Sequence, residues 1–408
     1  MSLSKNLILS AARLPLWIER LLRCPQRAPI SASQSILVLE YRIFLGYCVH
    51  LSPIYEAIKR IRPNMSISVA TYGIGAELLR HSPFVDHVLI TPDVLKDFPG
   101  ALASLRRQLK ERGLKPDCCL TGTPDSRSQI GLLGALACNG WRAGYAVHPA
   151  FYHSTLTYDD SISLLDNNLR LASYFGNAPE HLEPRVYFSQ QDLEKARKLL
   201  EPSRKAGRRV LIASTCISGG NPTAWLDERW TETLQRAFRQ LDYDIYYTGA
   251  PADANAISAR IAACGGIGTS LAGSTTIGQL AAVLALGDMV LSLTTGTAHV
   301  ARAVGAPIVV LGLAWEDPIQ WIAQGQPQFR HLRGAPVPRT LDYRMQEISV
   351  DWAFSELEDM SRLYPPSEAD REARVQASLS AVDHFLPPTG ASEPASPLQP
   401  AFQTSLRR

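Results

Sequence analysis

The stretch LSLTTGTAHVARAVGAPIVVLGL, residues 291–313, predicts a strand, a polar turn, a short helix and a second strand in succession. An apolar run at 289–293 stops at the turn TTGT, and a helix-compatible segment at 298–304 precedes a second apolar run at 308–313. This order is the βαβ unit of parallel sheets. Because amide N–H groups, hydroxyls and the positive end of a helix converge at TTGT, the turn suits an anion such as phosphate. An ordinary capped helix start is the alternative for such a turn alone.

Composition limits the protein class. A chain of 408 residues with 46% hydrophobic residues can bury a large core, and its length favours two domains with extensions. The net charge of +3 gives no electrostatic case for nucleic acid binding. The 7 cysteines are scattered without a CxxC pair, which argues against a zinc ribbon or a disulfide framework and favours reduced thiols in the cytoplasm. The sequence contains no apolar run of about 18 residues, so no membrane span is predicted.

The first 34 residues form a basic segment in which leucines and a tryptophan alternate with lysine and arginines. It lacks the uninterrupted apolar centre and the small-residue cleavage site of a signal peptide. Two interpretations remain open. The segment lies on an anionic membrane surface as an amphipathic helix, giving peripheral contact with the inner membrane, or it packs against the rest of the chain.

The chain from residue 35 onward alternates predicted strands with helix-length segments, which is typical of a parallel sheet covered on both faces. The alternation breaks at 176–184 and then restarts, so two successive α/β halves are predicted. The predicted strands are 35–39, 66–71, 87–90, 117–120, one closing at 144–145, 209–213, 245–248, 289–293 and 308–313. Predicted helices include 159–175, 191–200, 350–363 and 368–385, with a turn at 202–207. The predicted divisions are 1–34, 35–185, 186–364 and 365–408, the last being a helix and a disordered tail rich in proline and serine.

Four polar clusters of the second half follow predicted strands or open helices. In α/β sheets, ligands bind beyond the carboxyl ends of the strands, where loops meet helix N-termini. Small residues and hydroxyls there allow a ligand backbone to approach, and an aspartate can accept from ribose hydroxyls. The clusters therefore predict a nucleotide-type pocket lined by Ser214, Thr215, Asp253, Ser274, Thr294, Thr295, Gly296 and Thr297.

Longer motifs resemble glycosyltransferase family 9, the heptosyltransferase family. The similarity rests on TAWLDERW (223–230), YTGAPAD (247–253), LAGSTTIGQLAAVLALGD (271–288) and the TTGTAH stretch, together with ILVLEYRIFLGYCVHLSPIYEAIKR (36–60) and RAGY (142–145). It covers about residues 35–360. The resemblance implies an α/β fold of the GT-B type, with two Rossmann-like domains facing across a cleft and the nucleotide-sugar donor held mainly by the second. It also implies inverting transfer of a heptose or related sugar without a metal or other cofactor.

Three charged positions of the family pattern are neutral in this chain. The family's Gly-Asp, whose carboxylate is the presumed base, corresponds to Gly46-Tyr47 on the acceptor side. Its donor-side lysine corresponds to Thr223, and its aspartate before Thr-Gly corresponds to Thr294. Five other positions match the family pattern: Gly46, Trp225, Thr295, Gly296 and His299. The resemblance also adds Thr223 and His299 to the residues expected to bind the nucleotide-sugar donor.

A tyrosine with an ordinary pKa cannot easily act as a base at neutral pH. The candidates to replace the aspartate are His50, which titrates near neutrality, and Glu40 in the same loop region. A histidine at a helix start is, however, more commonly a cap or a packed side chain.

The sequence therefore predicts a cytoplasmic glycosyltransferase that uses a nucleotide sugar, such as ADP-heptose, on a cell-surface glycan or lipid-linked acceptor in lipopolysaccharide biosynthesis. The alternative is a nucleotide-sugar-binding or scaffold protein that has kept the fold and lost the chemistry, as the missing aspartate suggests. A sugar-nucleotide epimerase is less well supported, because no GxGxxG follows a strand and no Tyr-x-x-x-Lys pair lies on a suitable helix.

Overall fold

The computed structural model describes residues 16–19, 28–42, 44–122, 128–145, 149–217, 225–315, 318–322, 325–338, 340 and 343–385. Two parallel six-stranded sheets dominate them. The first contains β1 (Ser35–Leu39), β2 (Ser66–Thr71), β3 (His87–Ile90), β4 (Cys118–Thr121), β5 (Trp141–Tyr145) and β6 (Ser154–Leu156). The second contains β7 (Arg209–Ser214), β8 (Tyr243–Tyr247), β9 (Thr269–Ser270), β10 (Met289–Leu293), β11 (Ile308–Leu311) and β12 (Phe329–Leu332).

Both sheets have the Rossmann strand order. The first runs β3-β2-β1-β4-β5-β6 and the second β12-β11-β10-β7-β8-β9. The chain direction across each sheet therefore reverses between β1 and β4, and between β10 and β7. A crevice opens at such a reversal beyond the carboxyl ends of the strands, and it is where this fold binds ligands. The GT-B architecture predicted from the sequence is confirmed by this pair of sheets.

Helices cover the sheets on both faces, which is why central strands such as β10 are buried along their whole length. The first half contributes α1 (Leu45–Leu51), α2 (Pro53–Ile61), α3 (Gly73–Leu79), α4 (Phe98–Glu111), α5 (Ser128–Ala137) and α6 (Leu164–Arg170). The second half contributes α7 (Gln190–Lys205), α8 (Asp227–Gln240), α9 (Ala254–Ala263), α10 (Ile277–Leu286), α11 (Gly296–Ala303), α12 (Pro318–Trp321), α13 (Val350–Leu363) and α14 (Glu368–Ser378). Within the described ranges, no helix combines the length and the apolar character needed to cross a bilayer.

The two halves share one apolar core. Helix α1 of the first half packs against α11 of the second, and α3 packs against α10. Val49 and Val300 belong to the same buried cluster. The carboxyl-end loops of the two sheets are therefore held against each other.

The C-terminal segment ties both halves together. Helix α14 packs on α10, and its Arg371 pairs with the buried carboxylate of Asp288 at 2.6 Å. Beyond α14, residues 379–385 return to the first half, where Asp383 pairs with Arg80 at 2.7 Å. On the way, Leu379 forms a parallel bridge with Phe188, a residue of the segment that links the two halves.

Residues 16–19 of the N-terminal segment form a helical turn that docks on the first half. Leu16 packs against the cluster that includes Leu132 and Phe151, and the carboxylate of Glu19 accepts from the buried guanidinium of Arg142. Of the two interpretations of this segment, packing against the chain holds for these residues. The remainder of residues 1–27 and the tail beyond 385 lie outside the described residues.

Two predicted helices and one predicted turn need correction. The predicted helix 159–175 begins only at Leu164, because the Asn167 side chain bonds both backbone groups of Asp159 and holds that segment outside the helix. It tightens to a 3-10 turn at Leu171–Tyr174. The predicted turn at 202–207 is wrong at its start, since α7 continues through Pro202. Ser203 anchors that last turn by bonding the hydroxyl of Tyr246 at 2.8 Å.

The predicted helix 368–385 stops at Ser378. There the backbone turns to bond Phe188, which donates to the carbonyl of Ser378 and accepts from the amide of Ser380. An interdomain contact therefore replaces further helix.

Candidate active site

The polar clusters of the second half lie along one edge of its sheet. Strands β10, β7, β8 and β9 are neighbours and parallel, so the residues that follow them share the carboxyl edge. The chain reversal between β7 and β10 places Ser214 beside Thr295, with their hydroxyl oxygens 3.4 Å apart. Thr215 is buried directly after Ser214. The predicted placement of these residues at one edge matches the fold, whereas their contact with a donor stays a prediction.

The turn at 294–297 leads directly into α11. Thr295 is the N-cap residue, and Gly296 and Thr297 are the first two helical residues. The Oγ1 atom of Thr294 is buried and has no hydrogen-bond partner in the described part of the chain. An unsatisfied buried hydroxyl is costly, and no described residue offsets that cost here.

Two further residues that are predicted to bind the nucleotide-sugar donor lie on the same edge but differ in exposure. Asp253 is half-buried, and its carboxylate accepts from the backbone amide of Ala250 at 2.8 Å, so it shapes its own loop. Ser274 is exposed in the loop before α10. The two loops touch, since the amide of Gly273 donates to the carbonyl of Gly249 at 3.0 Å. Thr223 lies outside the described residues.

Glu40 occupies the equivalent position in the first sheet, directly after β1 at the chain reversal. Its side chain is buried, and Oε2 accepts from the hydroxyl of Tyr55 at 2.7 Å. Its other oxygen, Oε1, has no hydrogen-bond partner among the described residues. Glu40 borders a cavity of about 30 Å³, shared with Tyr47 and Thr121, which is large enough for one water.

Burial raises the pKa of Glu40 from 4.5 to about 7, although the hydrogen bond from Tyr55 opposes the rise. Burial has this effect because a charged carboxylate loses its hydration in an apolar environment. A carboxyl group that titrates near neutrality can both accept and release a proton under working conditions.

His50 lies on α1 and meets His299 of α11 across the contact between the halves. Nε2 of His50 and Nδ1 of His299 are 3.0 Å apart, and the rings are edge-to-face with centroids 4.7 Å apart. A hydrogen bond between two neutral imidazoles needs one nitrogen to donate and the other to accept. The two tautomers are therefore linked: the ring that carries its hydrogen on the shared nitrogen donates, and the other ring accepts there.

Both histidines are neutral at ordinary pH. Burial lowers the pKa of His50 well below its usual value, and the neighbouring His299 and Arg302 lower it further. Burial and Arg302 lower the pKa of His299 to about 4. His50 is thus a packed and bonded side chain, and its predicted role as a base stays a prediction that this geometry does not favour.

Two glycines permit the close approach of the halves. A Cβ atom at Gly46 would lie 2.7 Å from Cδ2 of His299, and a Cβ atom at Gly296 would lie 2.7 Å from the Cβ of Leu45. The sequence predicts that Gly296 makes room for a phosphate. In the structure the space beside its Cα belongs to a side chain of the other half.

Aromatic side chains surround this contact on the acceptor side. Tyr47 meets Trp321 of the short helix α12 edge-to-face at 4.7 Å, and Trp321 also packs against the rings of His50 and His299. The guanidinium of Arg42 lies 4.2 Å from the centre of the Tyr47 ring. The position that carries an aspartate in the family pattern is therefore part of an aromatic cluster.

Two features of the site escaped the sequence analysis. Trp321 lies in a stretch with no recognisable motif. The other is the ion pair of Arg302 with Glu183, at 2.9 Å, which joins α11 to the segment that links the halves. Arg302 follows His299 by one helical turn, so its proximity to the site could have been inferred from helical spacing.

Comparison with known proteins identifies the family. Residues 104–314 match the sequence model of the family described as Glycosyltransferase family 9 (heptosyltransferase), and the match covers more than half of the chain. The chain belongs to glycosyltransferase family 9. One relative in the family is the lipopolysaccharide core heptosyltransferase OpsX of Haemophilus influenzae. It is 29% identical over 297 residues, which span 71% of this chain and 81% of OpsX.

Solved structures of family 9 share the fold of this enzyme. The family 9 glycosyltransferase of Veillonella parvula has a TM-score of 0.69 at 16% identity, covering 80% of this chain and 97% of that chain. The Escherichia coli ADP-heptose lps heptosyltransferase II has a TM-score of 0.67 at 18% identity, covering 81% and 99%. The E. coli heptosyltransferase WaaC with ADP has a TM-score of 0.59 at 16% identity, covering 80% and 99%.

Proposed function

We propose that this family 9 glycosyltransferase transfers a heptose from ADP-heptose to a sugar of the lipopolysaccharide core, with inversion and without a metal. The observation that carries the proposal is the meeting of two sheet edges. The hydroxyl-rich turn before α11 and the titratable Glu40 lie at the chain reversals of the two sheets, and the helices that follow them join through His50 and His299. Family membership supports the reaction class, and OpsX and the WaaC complex with ADP support the sugar and the nucleotide.

On the donor side, backbone amide dipoles and hydroxyl groups take the place of charged side chains. The amide groups that begin α11 and the hydroxyls of Ser214, Thr294 and Thr295 surround the chain reversal. Amide groups at a helix N-terminus stabilise phosphate oxygens without a lysine. We assign the diphosphate of the donor to this position, which accounts for neutral residues at 223 and 294.

On the acceptor side, we assign the base to Glu40. The acceptor hydroxyl oxygen attacks the anomeric carbon, the bond from that carbon to the diphosphate oxygen breaks, and the nucleoside diphosphate leaves with the bonding electrons. The hydroxyl proton passes to Glu40, directly or through a water in the adjoining cavity. A pKa near 7 suits this step, because the carboxylate is available at neutral pH and still basic.

A transfer assay with a panel of nucleotide sugars tests the proposal. ADP-heptose should give product with an acceptor prepared from heptose-deficient lipopolysaccharide, whereas UDP-, GDP- and dTDP-sugars should not. Glu40→Gln should lower kcat by about 10²–10⁴ and leave donor binding unchanged. The matched control is Glu111→Gln, which removes an exposed carboxylate of the same domain. Product of inverted anomeric configuration, formed in the presence of a chelator, supports inverting transfer without a metal.

The same assay separates this proposal from a non-catalytic binding protein. Thermal shifts with ADP-heptose measure donor binding independently of transfer, because a ligand that binds only the folded state raises the Tm. Stabilisation by the donor without any transfer to any core acceptor would refute the catalytic proposal. Full activity of Glu40→Gln would refute only the assignment of the base.

A further inference from the structure

The hydroxyl of Tyr55 donates a hydrogen bond to the carboxyl group of Glu40 from α2 of the same half. Its Oη atom lies 2.7 Å from Oε2, and both side chains are buried. Burial, and after it the neighbouring Glu40, raises the pKa of Tyr55 well above its usual value. The phenol therefore keeps its hydrogen at any working pH and is always available as a donor.

The surrounding packing holds the ring of Tyr55 in one place. Helix α2 packs against α6, and its residues Ile54 and Ile58 are fully buried beside Tyr55. A ring enclosed in a close-packed interior cannot move away without leaving a cavity. The Tyr55 hydroxyl is therefore presented to Glu40 at a fixed point.

Other groups near the carboxyl group are weaker donors or point elsewhere. The thiol of Cys48 on α1 also opposes the rise of the Glu40 pKa, but less than Tyr55 does. A thiol is a weak donor, and this one also donates to the backbone carbonyl of Arg42 at 3.5 Å. Arg42 lines the same cavity as Glu40, with its guanidinium over the ring of Tyr47. Because Oε1 of Glu40 has no partner among the described residues, the two carboxyl oxygens differ in their surroundings.

We propose that Tyr55 is a positioning residue: its hydroxyl holds Oε2 of Glu40 and leaves Oε1 to take the proton of the acceptor hydroxyl. This inference rests on the proposed function, in which Glu40 is the base. Tyr55 keeps its own hydrogen throughout the reaction. Its bond stabilises the charged carboxylate more than the neutral acid, because hydrogen bonds to ionised groups are the stronger ones. Without this bond, a carboxyl group as buried as Glu40 would remain protonated at neutral pH and could not act as a base.

The pH dependence of kcat in Tyr55→Phe, with ADP-heptose and the core acceptor, tests the inference. Loss of the hydrogen bond should move the acidic limb of the profile upward by about 1–2 pH units. At pH 7, kcat should then fall about 5- to 50-fold and recover as the pH rises. The KM for ADP-heptose should stay unchanged. Damage to the fold alone would instead lower kcat by one factor at every pH.

The matched control is Tyr243→Phe, which removes another buried tyrosine hydroxyl, 2.8 Å from Oγ of Ser361 in the second half. This variant should keep the pH profile of the unmodified protein. Fluorotyrosine at position 55 retains the ring and the hydrogen bond but has a more acidic hydroxyl, which is a stronger donor. It should move the acidic limb downward, and it provides the test where Tyr55→Phe fails to fold.

Urea denaturation gives a second readout that needs no transfer. In Tyr55→Phe the unfolding free energy should continue to fall above pH 7, where that of the unmodified protein levels off, because the carboxyl group of Glu40 keeps its proton to higher pH.

The outcomes separate this inference from the proposed reaction. An unmoved acidic limb in the Tyr55 variants, together with an impaired Glu40→Gln, would overturn the role of Tyr55 and leave Glu40 as the base. Full activity of Glu40→Gln, or no transfer by the unmodified protein, would overturn the proposed base and this inference with it.

Discussion

The buried carboxyl group of Glu40 links stability to pH. The unfolded chain releases this proton near pH 4.5, whereas burial raises the pKa in the folded protein to about 7. Between these values the folded state holds a proton that the unfolded chain has lost. The free energy of unfolding should therefore fall by about 3 kcal/mol from this group as the pH rises from 4.5 to 7, and stay level above.

Glu40→Gln removes this dependence while keeping an oxygen that can accept from Tyr55. Relative to the unmodified protein, the free energy of unfolding of the variant should therefore rise by about 3 kcal/mol between pH 4.5 and 7. Urea denaturation of both proteins between about pH 5 and pH 8 measures it, with m-values compared. For Glu111→Gln, on the exposed surface of α4, the unfolding free energy should change with pH as it does in the unmodified protein. Parallel curves for Glu40→Gln would refute the raised pKa and remove the argument for this base.

Three further perturbations address the contacts around the site. Because the lowered pKa values of His50 and His299 make protonation costly, their contribution to the unfolding free energy should fall as the pH drops below 6.5, opposite in sign to that of Glu40; the difference between His50→Phe and the unmodified protein in urea titrations isolates it. Gly296→Ala should cost about 1–3 kcal/mol by overpacking the contact between the halves, and an unchanged Tm would contradict the close approach. Glu19→Ala should cost roughly 3 kcal/mol by leaving the buried Arg142 without its carboxylate partner, whereas an unchanged unfolding curve would show that the turn is not docked.

The sequence predicts most of the strands because short segments rich in apolar and β-branched residues alternate with helix-length segments. The bounds of β1, β2, β3 and β10 match the predicted ranges to the residue. β9 is missed, since it consists of two exposed polar residues, Thr269 and Ser270, and has no hydrophobic pattern. Its place in the sheet is set by its neighbour β8 and not by its own composition.

In the candidate site, too, some features follow from local sequence and others depend on contacts between distant residues. The placement of polar clusters at one sheet edge follows from strand order, which the alternation of elements already indicates. The bond between His50 and His299 joins residues 249 positions apart, and no periodicity encodes it. The raised pKa of Glu40 likewise depends on its burial in the folded chain, which its own sequence neighbourhood does not reveal.

The return of residues 379–385 to the first half has a consequence for movement. The chain passes between the halves twice, once through the segment that contains Phe188 and once through Leu379, and these two crossings are hydrogen-bonded side by side. Because these hydrogen bonds hold the two crossings together, sliding one crossing past the other would break them. The two crossings also make the first half discontinuous in sequence. A chain cut after Ser378 would lose the pairing of Arg80 with Asp383 and connect the halves by one crossing instead of two.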